Sequence, residues 1–182
     1  MADVLFSTDR LDLVPVAPGD TSHYRRIWGD PEVIWWGACS GQAECEAAFA
    51  ALLDRIAAMP GGLGWWWLRD RATGEIVGDV ILQPAPDPPG GIEIGWHLVR
   101  EHWGRGYATE GAAPLLDHAW NLGLDEVVAT IVPVNLPSVG VAERLGMKRR
   151  GGVVLRLGLA HGVWVIGRPA SPSDRTHGTL SA

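Results

Sequence analysis

Apolar residues recur along this chain with two different periods, and the changes of period mark out the elements. Leu11 and Leu13, with Asp12 and Val14 between and beyond them, alternate as a first strand. Pro18-Gly19-Asp20 breaks it, and Asp20 or Thr21 can cap a helix running towards Trp28. After the break at Gly29-Asp30-Pro31, Val33 to Trp36 are too few residues to assign. From Gly41 to Met59 the period is helical: Cys45, Ala48, Phe49, Leu52, Ile56 and Met59 make a stripe opposite Glu44, Glu46, Asp54 and Arg55. Pro60-Gly61-Gly62 ends that helix.

Strands follow. Trp65 to Arg69 and Ile76 to Leu82 flank a turn at Arg71-Ala72-Thr73-Gly74. Pro84 to Gly91 reads as a loop. In Ile92 to Val99, Ile92, Ile94, Trp96 and Leu98 take one face, and Glu93, Gly95, His97 and Val99 take the other. A helix follows on the stripe Ala108, Ala112, Leu115, Leu116, Ala119. Val127 to Val132, β-rich with few charges, reads as a strand buried on both faces. Ser138 to Leu145 is a brief helix ended by Gly146, and Val153 to Leu157 with Val163 to Ile166 make a last hairpin across Ala160-His161-Gly162. From Pro169 to Ala182 no period survives, so a disordered tail is expected. The order predicts an α+β fold with a mixed, mostly antiparallel sheet and a parallel pair where the central helix crosses over. No internal repeat or second domain is visible.

Composition narrows the classes. At 182 residues and 47% apolar content one soluble domain is expected. No apolar run approaches a membrane span, and the acidic start carries no signal pattern, so a cytoplasmic location is expected. A net charge of −6 argues against nucleic acid and permits a cationic acceptor. The two cysteines, Cys39 and Cys45, match no metal spacing and are read as small buried thiols. No metal site is expected.

The chemistry centres on Leu98 to Glu110, where a strand end, two glycines and a helix start make an anion cradle. Helix amides and the dipole supply positive charge, and Arg100 and Arg105 add to it. A P-loop is excluded, because the chain's one lysine is Lys148. The dinucleotide fingerprint lacks its third glycine.

Trp103-Gly104-Arg105-Gly106-Tyr107-Ala108 resembles the Q/R-x-x-G-x-G/A acetyl-CoA loop of GNAT-family N-acetyltransferases. Asn135-Leu136-Pro137-Ser138 followed by Leu145-Gly146-Met147 is similar to that family's N-x-x-S…L-G-F segment, and Asp9-Arg10-Leu11-Asp12-Leu13 resembles the opening of its RimJ/RimL-like subgroup. Trp103 stands where Gln or Arg is usual, and Met147 where Phe is. The resemblance implies a GNAT-like sheet of about seven strands with a splayed parallel pair. It implies a domain over residues 8–168, and acetyl transfer to a primary amine by direct attack through a tetrahedral intermediate. It assigns acetyl-CoA to Leu98, Val99, Arg100, Trp103, Gly104, Arg105, Gly106, Tyr107, Ala108, Thr109, Asn135 and Ser138. The backbone amide of Val99 is the implied oxyanion donor. The position of the family's frequent tyrosine acid is Ala142, which leaves Ser138 or water.

For the base, Glu93 is the first candidate and His97, on the same strand face and expected to line the acceptor site, is the next; Glu93 could instead pair with Arg69 or Arg149. Among ten tryptophans, Trp35 and Trp36 are candidates for an acceptor groove, since an ammonium stacks on indole. Trp65, Trp66 and Trp67 cannot share a face, so one should reach a surface or pocket. His102 reads as a loop residue at the cofactor entrance. The acceptor could be a protein N-terminus or a small amine, as in aminoglycoside 6′-acetyltransferases, and a homodimer is permitted. The rival from another class is a non-catalytic acyl-CoA-binding or interaction module.

Overall fold

The alternation of the tryptophans in Gly64 to Asp70 explains the architecture, because each face of that strand meets its own core. A computed structural model describes residues 4–86, 90–156 and 158–170. Its elements are β1 (Phe6–Ser7), β2 (Leu11–Pro15), α1 (Thr21–Trp28), α2 (Gly41–Ala57), β3 (Gly64–Asp70), β4 (Ile76–Pro84) and β5 (Ile92–Leu98). A 3₁₀ turn (Arg100–His102) leads to α3 (Tyr107–Asn121), β6 (Glu126–Ile131), α4 (Leu136–Arg144), β7 (Lys148–Arg156) and β8 (Leu159–Gly167). The strands form one sheet in the order β1-β2-β3-β4-β5-β6-β8-β7.

On one face, Trp66, Leu68, Val80, Leu82, Ile94 and Leu98 pack against Ala112, Leu115, Leu116 and Ala119 of α3. On the other, Trp65, Trp67 and Ile81 pack against Tyr24, Ile27, Phe49 and Leu52 of α1 and α2. All three consecutive tryptophans are therefore buried. None reaches an outer surface, because helices cover both faces of β3. Trp65 does form part of a cleft wall. β6 is buried on both faces, with Val127, Val128 and Ala129 nearly inaccessible.

Several expectations change. The sheet has eight strands, the extra one being the two-residue β1, paired antiparallel with β2 through Phe6↔Leu13. The last turn lies around Gly158 (φ 76°), and Ala160-His161-Gly162 belongs to β8. Gly162 is a strand residue opposite Val153, with Arg149 close by, and was mistaken for a turn glycine. Cys39 and Cys45 are joined in a disulfide with Cα atoms 5.2 Å apart. They are not free thiols. Spacing alone could not show this, because the bond depends on how the chain enters α2. The expected tail lies, from residue 171 onward, outside the described residues.

One feature of the sheet places the site. All neighbours are antiparallel except β5 and β6, and these two share a single ladder pair, Glu93↔Val128. Beyond it the strands part towards their C-terminal ends. Backbone polar groups there face a gap instead of a partner.

Candidate functional site

The gap opens into a cleft of about 1200 Å³ that runs from the glycine loop to α1 and α2. At the loop end, Gly104 (φ 71°) and Gly106 (φ 81°) both adopt the left-handed region. Side chains strain there, so the glycines are required by the turn. Gly106 caps α3, and the first intrahelical bond is Glu110 N–H to Gly106 O at 3.0 Å. The amides of Tyr107, Ala108 and Thr109 are thus free for an anion. A Cβ on Gly104 would meet nothing within 4 Å, and one on Gly106 only Arg10 Nη2 at 3.6 Å. This is an open cradle that a ligand can fill.

Arg105 lines the cleft, and Arg144 of α4 joins it, its Nε donating to Thr109 Oγ1 at 3.2 Å. Arg144 was not anticipated, and its only trace in the sequence is a basic residue in the last turn of a helix. Asn135 caps α4, its Oδ1 accepting from Ser138 N–H at 3.2 Å, and both residues line the cleft. Trp103 is half exposed and donates its indole N–H to Leu98 O at 2.8 Å, so a hydrogen-bonding side chain survives at the Gln/Arg position.

The loop is anchored from behind by Glu110. It accepts from Thr8 Oγ1 (2.6 Å), Arg10 N (2.9 Å) and Arg10 Nε (2.7 Å), and Arg10 Nη1 donates to Arg105 O (3.0 Å). The family-like opening segment is therefore a brace for the loop. Burial pushes the Glu110 carboxyl up, but the bonds from Thr8 and Arg10 outweigh it and hold its pKa below the ordinary glutamate value.

Four residues assigned to the cofactor or its entrance sit elsewhere. Tyr107 is buried with its OH on Asp70 Oδ2 at 2.7 Å, so only its backbone serves the loop. That bond raises the phenol and lowers the Asp70 carboxyl. Arg100 turns away to Glu32 at 2.5 Å. His102 is buried against Tyr107 with Nε2 3.6 Å from Glu75 and is not at an entrance.

Val99 is the fourth. Its N–H donates to Val77 O at 3.0 Å and cannot be the free donor. That bond also sets the alternation: His97, Gly95 and Glu93 turn their amides to β4, while Trp96 and Leu98 turn theirs towards β6. With β6 paired only at Glu93, the amides of Trp96 and Leu98 face the gap. The free amide nearest the expected position belongs to Leu98, not Val99, because the phase of hydrogen bonding cannot be read from side-chain alternation.

At the far end the face of β5 that holds Glu93, Gly95 and His97 forms the floor. His97 Nδ1 lies 2.8 Å from Asp79 Oδ1, and Asp79 Oδ2 accepts from Trp28 Nε1 at 2.8 Å. Asp79 is fully buried. With a carboxylate as acceptor, Nδ1 is the donor of this bond, and Nε2 has no hydrogen-bond partner among the described residues. Glu93 is buried and heavily engaged: Thr130 Oγ1 (2.5 Å) and Arg156 Nη1 (2.7 Å) donate to one oxygen, and Gln83 Nε2 (3.3 Å) to the other. The ion-pair partner is Arg156, from the far hairpin, in place of Arg69 or Arg149.

Trp35 and Trp36 line this end edge to face, 5.5 Å apart, and the ring of Trp36 lies 6.0 Å from His97. Arg55 of α2 sits over Trp65, its Cζ 5.2 Å from the ring centre. Ala142 is fully buried and carries no proton chemistry. Among the described residues no group of His, Cys, Asp and Glu could hold a metal, and no helix is long and apolar enough to cross a membrane.

Comparison with known proteins fits this geometry. A family profile described as "Acetyltransferase (GNAT) domain" matches residues 10–148. The uncharacterized N-acetyltransferase p20 of Bacillus licheniformis is 26% identical over 147 residues, 79% of this chain and 82% of its own. The FsC-acetyl coenzyme A-N(2)-transacetylase of Aspergillus fumigatus is 30% identical over 151 residues, 77% of this chain but 63% of its own. A solved acetyltransferase from Agrobacterium tumefaciens superposes with a TM-score of 0.73 at 28% identity, covering 92% of this chain and 99% of that one.

Proposed function

The chain belongs to the acetyltransferase (GNAT) domain family, and from that premise we propose that this cleft acetylates a primary amine with His97 as the base. Acetyl-CoA is the family's acetyl donor and supplies an acyl group activated as a thioester. The cradle fits it: the open glycine loop, the first amides of α3, Arg105, Arg144, Asn135 and Ser138 would hold its phosphates and arm. The amides of Trp96 and Leu98 offer two donors to negative charge developing in the gap. His97 Nε2 removes the proton from the acceptor ammonium, while Asp79 keeps the ring oriented and stabilises its charged form. Trp35 and Trp36 hold the amine by cation–π contact. Ser138 or water returns a proton to the leaving side.

The carrying observation is that the gap between β5 and β6 joins the anion cradle to the oriented His97–Asp79 pair. Glu93, both of whose oxygens are taken by donors, is less free to reach an amine and serves to fix Arg156 and Thr130. A protein N-terminus remains the alternative acceptor, as the RimJ/RimL-like opening suggests. Coenzyme A release across amines and peptides tests the reading directly. His97→Gln should lower kcat/KM by about 10²–10⁴-fold with unchanged coenzyme A affinity, and remove the acidic limb of the pH–rate profile. If Glu93→Gln produces that loss and His97→Gln does not, the carboxylate is the base. Absence of thiol release with any amine would favour a binding module.

A further inference from the structure

The charges at the acceptor end do not balance in the way a polycationic substrate would need. Glu32 is held by Arg100 at 2.5 Å, Glu93 by Arg156 at 2.7 Å, and Asp79 by His97 and Trp28 at 2.8 Å each. Every carboxylate there already has its partner. Arg55 has none: its side chain forms no hydrogen bond and no ion pair among the described residues, and its guanidinium rests on the face of Trp65. Stacking occupies the plane of the group and leaves its edge, with five N–H donors in a rigid fork, open to the cleft.

Resting on the amine-acetylating reading above, we propose that the acceptor carries its own carboxylate and that Arg55 binds it. The register sets the span. Trp65 pairs with Ile81, and Ile81 pairs with Gly95, which lies between Glu93 and His97. Two strand spacings, about 10 Å, separate Trp65 from Gly95, and His97 lies two residues further along β5. The acceptor must bridge that span past Trp28, whose ring lies 5.3 Å from that of Trp65 and 4.6 Å from that of His97. Arg156 is already paired with Glu93, so Arg55 is the unpaired cation at this end among the described residues. A diamine or polyamine would set its second ammonium against this cation with no unengaged carboxylate to receive it. The overall charge of −6 therefore does not describe the cleft.

The test uses matched acceptors with the full chain and acetyl-CoA: an amino acid, its amide, the corresponding amine without the carboxyl group, and a diamine of similar length. The wild type should favour the amino acid over its amide and the simple amine by at least tenfold in kcat/KM. In Arg55→Gln, which keeps a flat polar group over the indole, that ratio should collapse towards one. In Arg55→Glu the preference should pass to the diamine. If the wild type turns over the amide or the diamine as well as the amino acid, the proposal is overturned, while amine acetylation stands. If no amine at all promotes thiol release, the acetylation reading fails and this one with it. The wild-type panel alone decides the matter even where a variant fails to fold.

Discussion

The glycine-loop end of the cleft presents backbone, whereas the tryptophan end presents side chains. At the first, the active groups are the amides of Tyr107, Ala108 and Thr109, exposed by two left-handed glycines, and those of Trp96 and Leu98, exposed where β6 leaves β5. At the second, they are indoles, an imidazole and a guanidinium contributed by β3, β5 and α2 and by the segment between α1 and α2, with a carboxylate from β4 behind the imidazole. Backbone donors suit a ligand whose phosphates and amides never vary. Side chains are the part that can change when the acceptor changes.

That contrast breaks if damage at one end is felt at the other. The largest effect is expected from Gly106→Glu, which forces a side chain into the left-handed region and sets a carboxylate in the anion cradle. Coenzyme A binding should fall below detection by calorimetry, beyond 10²-fold, in a protein that still melts cooperatively. Undiminished affinity would remove the cofactor from this loop. Replacing Trp35 and Trp36 together by Ala should raise the acceptor KM about tenfold and leave that of acetyl-CoA in place, since each cation–π contact is worth about 0.5–2 kcal/mol. Equal rises in both constants would mean the pair supports the whole cleft.

The smallest effect is expected behind the loop. Glu110→Gln weakens the brace from Thr8 and Arg10 and should cost about 1–2 kcal/mol at neutral pH. The native carboxyl has a depressed pKa, so its contribution is present above the unfolded value of about 4.3 and fades as pH falls through the folded one. Thermal melts of wild type and variant should therefore draw together as pH falls below about 4.3 and meet below the folded value. A gap that persists into acid would show that shape, not charge, makes the brace.

What could be read from the sequence follows the same division. A left-handed turn before a helix demands glycine at fixed offsets, so Gly104, Gly106 and the start of α3 stood out locally. Strand alternation likewise put Glu93 and His97 on one face, and the order strand, helix, strand predicted the parallel neighbour of β5. The phase of the β5 hydrogen bonds was invisible, because side-chain period and donor direction are separate properties; hence the shift from Val99 to Leu98. Partners brought together by the fold were equally hidden. Arg156 reaches Glu93 across 63 positions and Asp79 reaches His97 across 18. No spacing encodes such pairs, and none marked Arg55 as the cation left over.

The outer strand β7 has a consequence for how the molecule behaves in a crowd of its own kind. It lies at the end of the sheet, begins Lys148-Arg149-Arg150, and shifts register between Arg150 and Val153 at Gly151-Gly152. A strand arriving from another copy would have to strip water from three cations and would then lose its ladder at the glycine step. Past that step Val153 and Leu155 are exposed, so protection is confined to the first half of the edge. Resistance to self-assembly thus rests on a few charges and one irregularity, and neutralising those cations is the shortest route to a protein that aggregates.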